Sequence, residues 1–286
     1  MATLEEEGIP VSESCRILQL PRSSYYRRQQ NVALAPVTPE SVDAEEAPFF
    51  EIIRQIAGAH PFWGYRRISA YLRTKCAIRA NRKRVRRILR KLGLSVAVKT
   101  HAAKRAVTRS KPRPTRMNEW WGTDMTKFYV DHVGWVYLVV VLDWYTKRVL
   151  GFALGLRPST DLWLTALRQA VEVGCPLGSR AYEIHLMSDN GSQPTSKRYE
   201  KELETLGIIH VTTSYNNPKG NADTERFMKT FKEEIVWPNE YESFSEATAA
   251  VERFIHFYNH DYPHSAIGQR GPIDFEQSLS QISVAA

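Results

Sequence analysis

Segments 123–130, 134–142 and 148–154 are rich in β-branched and aromatic residues, and only three and five residues separate them. Connections that short join antiparallel neighbours, because a parallel crossover needs a dozen residues or more. The run Tyr137 to Leu142 is the longest strongly apolar patch of the chain and reads as a buried strand. A helix is predicted over 160–173, with Leu162, Leu164, Leu167 and Val171 on its buried side. A fourth strand over 183–188, a helix over 197–206 and a fifth strand over 208–213 follow. Phe227, Phe231, Ile235 and Trp237 then recur at helical spacing, as do Ala247, Val251, Phe254 and Ile255 within 243–258. A three-strand meander followed by alternating helices and strands predicts an α/β domain around a mixed five-stranded sheet.

Three carboxylates in this stretch are hard to explain by folding alone. Asp124 lies inside the strand pattern WWGTDMTKFYV, against the β propensity of its position. Asp189 ends the apolar run Ile184 to Met187 and precedes the turn pair Asn190-Gly191. Glu225 is on the predicted helix of NADTERFMKTFKEEIVW, with 35 residues between it and Asp189. A turn-forming role would account for Asp189 alone but not for the set. Asp143 reads as structural, at a strand end before Trp-Tyr-Thr. Asp223 faces away from Glu225 and reads as a first-turn charge. Glu233 and Glu234 are expected to be solvated.

The net charge of +8 conceals a sharp asymmetry: residues 51–117 hold 20 Lys and Arg against one acid, Glu51. A segment so basic points to a polyanion, with nucleic acid the usual one. Within it, Ile52, Ile53 and Ile56 mark one helix. Tyr65, Ile68, Tyr71 and Leu72 mark a second, and Val85, Ile88, Leu89 and Leu92 a third that Gly93 closes. Arg82, Lys83, Arg84, Arg86, Arg87, Arg90 and Lys91 fill the other faces of the third helix, as in a helix-turn-helix recognition element. Base-reading contacts and phosphate contacts alone would both explain that charge. The division expected is a small helical segment 1–28, a Pro-containing linker 29–48 and a basic helix-turn-helix module 49–97. A basic arm or tether 98–117, the α/β domain 118–279 and a tail 280–286 complete it. Segment 11–28 suits either DNA contact or mere packing. Cys15, Cys76 and Cys175 are scattered, as in a reduced cytosolic protein, and no apolar run approaches the ~18 residues of a membrane span.

The three carboxylates and their spacing resemble the D-D-x35-E triad of the DDE transposases and retroviral integrases. SDNGSQ, GNADTERF and FYNHDYPHSAIGQRGPIDFE resemble further motifs of that superfamily. HPFWGYRRI and NRKRVRRILRKLGL are similar to the helix-turn-helix segment of bacterial insertion-sequence transposases, and the likeness covers nearly the whole chain. It implies an RNase H-like catalytic domain preceded by small all-α helix-turn-helix modules. It also implies two Mg²⁺ or Mn²⁺ ions held by Asp124, Asp189 and Glu225, and Lys229 and Lys232 contacting DNA near the reactive end. Arg66 and Arg67 of HPFWGYRRI join the expected DNA contacts. Asn259 and His264 match a motif for which a structural role and DNA contact both stay open. The partners implied are double-stranded DNA (terminal repeats and target) and further copies of the chain, in the bacterial cytosol at the nucleoid. An upstream-frame protein is a further partner of such chains, although MATLEEE shows no heptad pattern to pair with one.

The expected function is metal-dependent cleavage of insertion-sequence ends and their transfer to target DNA. The rival is a non-catalytic DNA-binding regulator descended from a transposase. A ribonuclease acting on RNA–DNA hybrids would leave the basic module unexplained.

Overall fold

The structure, a computed structural model, describes residues 47–96, 112–213 and 218–284. The expected helices of 1–28, the linker up to residue 46 and residues 98–111 of the basic arm lie outside the described residues. Two compact units emerge. One combines the described residues up to Ala59 with Asn81–Ser95, and the other combines His60–Ala80 with the described residues from Val96 onward.

The first unit pairs α1 (Ala47–Ala59) with α3 (Arg82–Lys91). Phe50, Ile53, Ile56 and Ala57 are the buried stripe of α1, and Val85, Ile88 and Leu89 that of α3. The Asn81 side chain caps α3 by accepting from the Lys83 amide at 2.8 Å, and Gly93 turns the chain out of the helix at φ +69°. Arg84 lies over the Phe49 ring at 4.6 Å and Lys91 over Phe50 at 5.7 Å, while Arg82, Lys83, Arg86, Arg87 and Arg90 are exposed.

Between them in sequence, α2 (Tyr65–Thr74) belongs to the second unit. The cause is Trp63, a fully buried side chain whose ring packs against Phe257 at 6.2 Å and Tyr262 at 5.6 Å.

The second unit is organised by a five-stranded sheet in the order β3-β2-β1-β4-β5. Its strands are β1 (Trp120–Val130), β2 (Gly134–Asp143), β3 (Val149–Gly155), β4 (His185–Ser188) and β5 (Ile209–Thr212). The first three form the antiparallel meander, while β4 and β5 add in parallel. Strand β1 begins three residues before the sequence pattern suggests, because Trp120, Trp121 and Gly122 pair with β4. That pairing is non-local and leaves no trace in the local sequence. On one face α4 (Thr160–Gly174) and α5 (Lys197–Leu206) cover Trp121, Val139, Val141 and Leu150. A Cβ on Gly151 would stand 2.1 Å from the Ala166 carbonyl oxygen, so helix and sheet touch through backbone there. On the other face α6 (Ala222–Phe231) and α7 (Phe244–His260) bring Phe227, Phe231, Phe254 and Tyr258 together beside Phe128. The last helix, α8, spans Pro272–Val284. Among the described residues no helix is long and apolar enough to cross a membrane.

Two expectations about the end of α6 are corrected. The helical spacing through Ile235 and Trp237 does not continue as α-helix: Lys232–Val236 widens into a π-helical turn, and Trp237 is 57% exposed. Glu234 is not solvated, for its side chain is only 5% exposed. Trp63 Nε1 donates to one oxygen at 2.6 Å, and His60 Nδ1 lies 2.7 Å from the other. Both partners come from more than 170 residues upstream, beyond the reach of any local pattern.

Candidate active site

The sheet sets two of the three carboxylates side by side. Gly122 of β1 is in register with Met187 of β4, and Asp124 and Asp189 each lie two residues further on. Two residues along a strand return to the same face, so both carboxylates stand on one side of neighbouring strands. Asp124 is half-buried and its Oδ1 accepts from the Met125 amide at 2.8 Å. Asp189, just past the end of β4, is exposed and its Oδ1 accepts from the Gly191 amide at 3.0 Å. Asn190 fixes this loop by donating to the Thr213 carbonyl at 2.6 Å, and Gln193 donates to the Pro158 carbonyl at 3.2 Å.

The third carboxylate arrives on α6, and the approach of that helix to β1 is unusually close. Gly122 makes room for it: a Cβ there would be 2.1 Å from Thr224 Oγ1 and 2.2 Å from Trp144 Nε1. Trp144 Nε1 donates to Thr224 Oγ1 at 3.1 Å, and Asn221 Nδ2 donates to the Thr123 carbonyl at 3.1 Å. The start of α6 is thereby fastened to Thr123, the neighbour of Asp124 on β1, and to Trp144 just past β2. Glu225 follows Thr224 directly.

Charge shows the consequence. Burial pushes the Asp124 carboxyl up to about 6, the Met125 amide opposes that, and the negative charges of Asp189 and Glu225 add to it. Lys232 acts in the opposite sense on Asp124, so its ammonium is also within electrostatic reach. Burial raises the Glu225 carboxyl as well. Lys229 is 62% exposed and pairs with Glu233 at 3.6 Å.

Hard oxygen donors around a carboxyl that resists ionisation suit Mg²⁺ or Mn²⁺ better than a soft metal. Among the described residues, however, no three His, Cys, Asp or Glu groups close into a coordination shell. Asp124, Asp189 and Glu225 fit a divalent cation by donor type and by uncompensated charge.

The linkage has a definite sign. Folded Asp124 keeps its proton up to about pH 6, whereas an unfolded one releases it near its ordinary value of 3.8. Stability therefore falls as pH rises from about 4 to 6 and stays reduced above that window. The shift corresponds to ~2–3 kcal/mol at most, less after solvent screening. Asp124→Asn is accordingly expected to raise the melting temperature of the metal-free protein at pH 7.5 and to flatten its decline between pH 4 and 6. Thermal melts in EDTA check this, and an unchanged or lowered melting temperature would contradict it.

The remaining candidates make defined contacts within the fold. Buried Asp143 accepts from the Asn118, Tyr145 and Thr146 amides and the Thr146 hydroxyl, tying up the β2–β3 turn. Asp223 pairs with Lys147 at 3.3 Å. Asn259 exchanges two hydrogen bonds of 2.9 Å with the Val149 backbone, extending the edge of β3. His264 packs against the rings of Tyr258 and Tyr262 at 4.6 and 4.9 Å. Sequence reasoning missed Gly122, Thr224, Trp144 and Asn221, none of which carries chemistry of its own. It also missed Glu234 with its two upstream partners.

Comparison with known proteins agrees with this architecture. Residues 114–218 and 206–272 match two models described as integrase core domain, and residues 43–102 match an HTH-like domain. The chain is 28% identical to the InsK protein of element IS150 from Escherichia coli K12 over 260 residues, covering 87% of each. It is 29% identical to the transposase of element IS904 from Lactococcus lactis over 212 residues, 70% of this chain and 82% of that one. The catalytic core domain of BIV integrase superposes with a TM-score of 0.43 at 19% identity, over 58% of this chain and 99% of that one, a likeness too weak to add to the family match. With integrase-core matches running from residue 114 to 272, an HTH-like domain before them and insertion-element relatives over most of its length, the chain belongs to the DDE insertion-sequence transposases, enzymes of the polynucleotidyl transferase class.

Proposed function

We propose that this transposase cleaves the ends of its insertion sequence and joins them to target DNA through a centre formed by Asp124, Asp189 and Glu225. The observation that carries this reading is the fastening of α6 to β1, which brings the charges of Glu225 and Asp189 to bear on half-buried Asp124. Two Mg²⁺ or Mn²⁺ ions, when bound, would neutralise the phosphate and activate the attacking oxygen. Asp124 and Asp189 would hold them from adjacent strands and Glu225 from the helix. The Asp189 loop and the α6 N-terminus hold these groups in place before DNA arrives. Lys229 and Lys232, on and just after α6, would steady the phosphate backbone beside the reactive end.

DNA recognition falls to the exposed cations of α3, namely Arg82, Lys83, Arg86, Arg87 and Arg90, together with exposed Arg66. Arg84 and Lys91, lying over phenyl rings, contribute charge from the flank. Replacing Arg86 and Arg87 by Ala should weaken binding to terminal-repeat DNA and reduce the log–log salt slope by about one unit for each phosphate no longer neutralised. A Kd and slope equal to those of wild type across a salt series would remove α3 from the interface. Copies of the chain would assemble on paired ends in the cytosol, and an upstream-frame protein would join that assembly where one is made.

The proposal is tested by incubating the chain with duplex carrying the element's own ends, in Mg²⁺ or Mn²⁺ and in EDTA. Nicking confined to the metal-containing reactions supports it. Binding without nicking under any metal would favour the non-catalytic regulator.

A further inference from the structure

Beside the candidate active site, within the same compact unit, is a cavity of about 170 Å³. Its lining includes Arg67, Lys147, Asp223, Arg226, Tyr258 and His264, and none of the three catalytic carboxylates. Arg226 follows Glu225 in α6, but one residue along a helix turns the side chain about 100° round the axis. It therefore serves a different face from the one presented to Asp124.

Three cations converge on this space. The charges of Arg67 and Arg226 both act on the Tyr258 hydroxyl, and those of Arg67 and Lys147 both act on the His264 ring. Arg67 is held in place over the Tyr262 ring at 4.6 Å and the Trp63 ring at 5.6 Å. Asp223, paired with Lys147 at 3.3 Å, is the one acid among the described lining residues, and the charges of Glu233 and Glu234 reach Tyr262 from outside the lining, so cations outnumber acids in the lining itself. Arg67 and Lys147 are partly buried and Arg226 is exposed, and like charges gathered at one concave site repel one another unless an anion joins them. His264 adds a second, independent feature. Its Nε2 is out of contact with solvent and has no hydrogen-bond partner. Burial and the neighbouring cations push this imidazole down to about 3, so it is neutral at working pH and adds no charge of its own.

We propose that this cavity is a phosphate-binding site, in which Arg67, Arg226 and Lys147 receive one tetrahedral phosphate group beside the His264 ring. Two guanidinium groups offer planar forks suited to phosphate oxygens, and the space suits one oxyanion with its waters and no base pair. In an enzyme of DNA transposition the expected source is a backbone phosphodiester away from the scissile one. That source rests on the reading under Proposed function; the anion site itself does not.

Two measurements on the full chain separate the possibilities. In the first, inorganic phosphate is titrated at constant ionic strength while the His264 ring resonances are followed by NMR. A saturable shift is expected, with affinity reduced about tenfold in Arg226→Gln, as for removal of one charge-assisted hydrogen bond. Arg226→Lys should recover part of it, and melting curves of each variant report on folding. In the second, end duplexes carrying single methylphosphonate substitutions are scanned for binding. One substitution should weaken binding to the wild type and have no effect on binding to Arg226→Gln. Success of both identifies a DNA phosphate, and success of the second alone does the same for a site that takes only DNA-borne phosphate. Success of the first alone keeps the phosphate site and assigns it to a free anion. If His264 ignores phosphate and no backbone position couples to Arg226, the proposal is overturned. The titration involves no cleavage, so its result stands whether or not the catalytic reading holds.

Discussion

Gly122→Ala is expected to lower strand cleavage by ~100-fold or more, although residue 122 has no functional group to lose. The added methyl would have to stand 2.1 Å from Thr224 Oγ1 and 2.2 Å from Trp144 Nε1, well inside van der Waals distance. Neither neighbour can swing aside, since Thr224 and Trp144 are both almost completely buried. Relief must come from α6 moving away from β1, which breaks the Trp144–Thr224 and Asn221–Thr123 hydrogen bonds. Overpacking of this kind costs about 1–3 kcal/mol of stability, so a measurable fall in melting temperature should accompany it. The larger consequence is for chemistry, because Glu225 travels with the helix. A misplacement of about 1 Å at a catalytic group is enough for a ~100-fold loss. Cleavage assays below the variant's melting temperature separate the two effects. A folded Gly122→Ala protein that cleaves at the wild-type rate would show that the close approach of α6 to β1 does not set the site.

This dependence on a glycine shows where sequence and structure part company. The meander β1–β3 could be delimited to within a few residues because short connections and local alternation determine it. Helix α5 matches its expected bounds of 197–206, with Ser196 as its cap and Gly207 in the left-handed conformation at its end. Asp124 stood out because it conflicts with its strand, and Asp189 and Glu225 because with it they resemble the D-D-x35-E triad. What supports them was hidden. Gly122, Thr224 and Trp144 act through one close approach between segments that are distant in sequence. Glu234 looked like a surface acid on a helix because its partners, His60 and Trp63, are supplied from the far side of the chain. The same holds for Arg67 of HPFWGYRRI, whose guanidinium lies over Tyr262 in the second unit, a partner that no local pattern indicates. Local pattern predicts elements well, while interactions made across the sheet have to be seen.

The central claim is that Asp189 acts in chemistry and not in the turn that follows it. Its side chain does accept from the Gly191 amide, and Asn can accept the same hydrogen bond. Asp189→Asn therefore preserves the Asn190-Gly191 turn and removes only the negative charge. The measurement is nicking of a terminal-repeat duplex in Mg²⁺, alongside the Kd for the same duplex. The account predicts metal-dependent nicking by the wild type and a loss on the order of 10³-fold in Asp189→Asn, comparable to removing one preorganised charge-stabilising group. The Kd should stay within about twofold, since the variant keeps every cation that meets phosphate. Nicking by Asp189→Asn at the wild-type rate in Mg²⁺ would contradict the account.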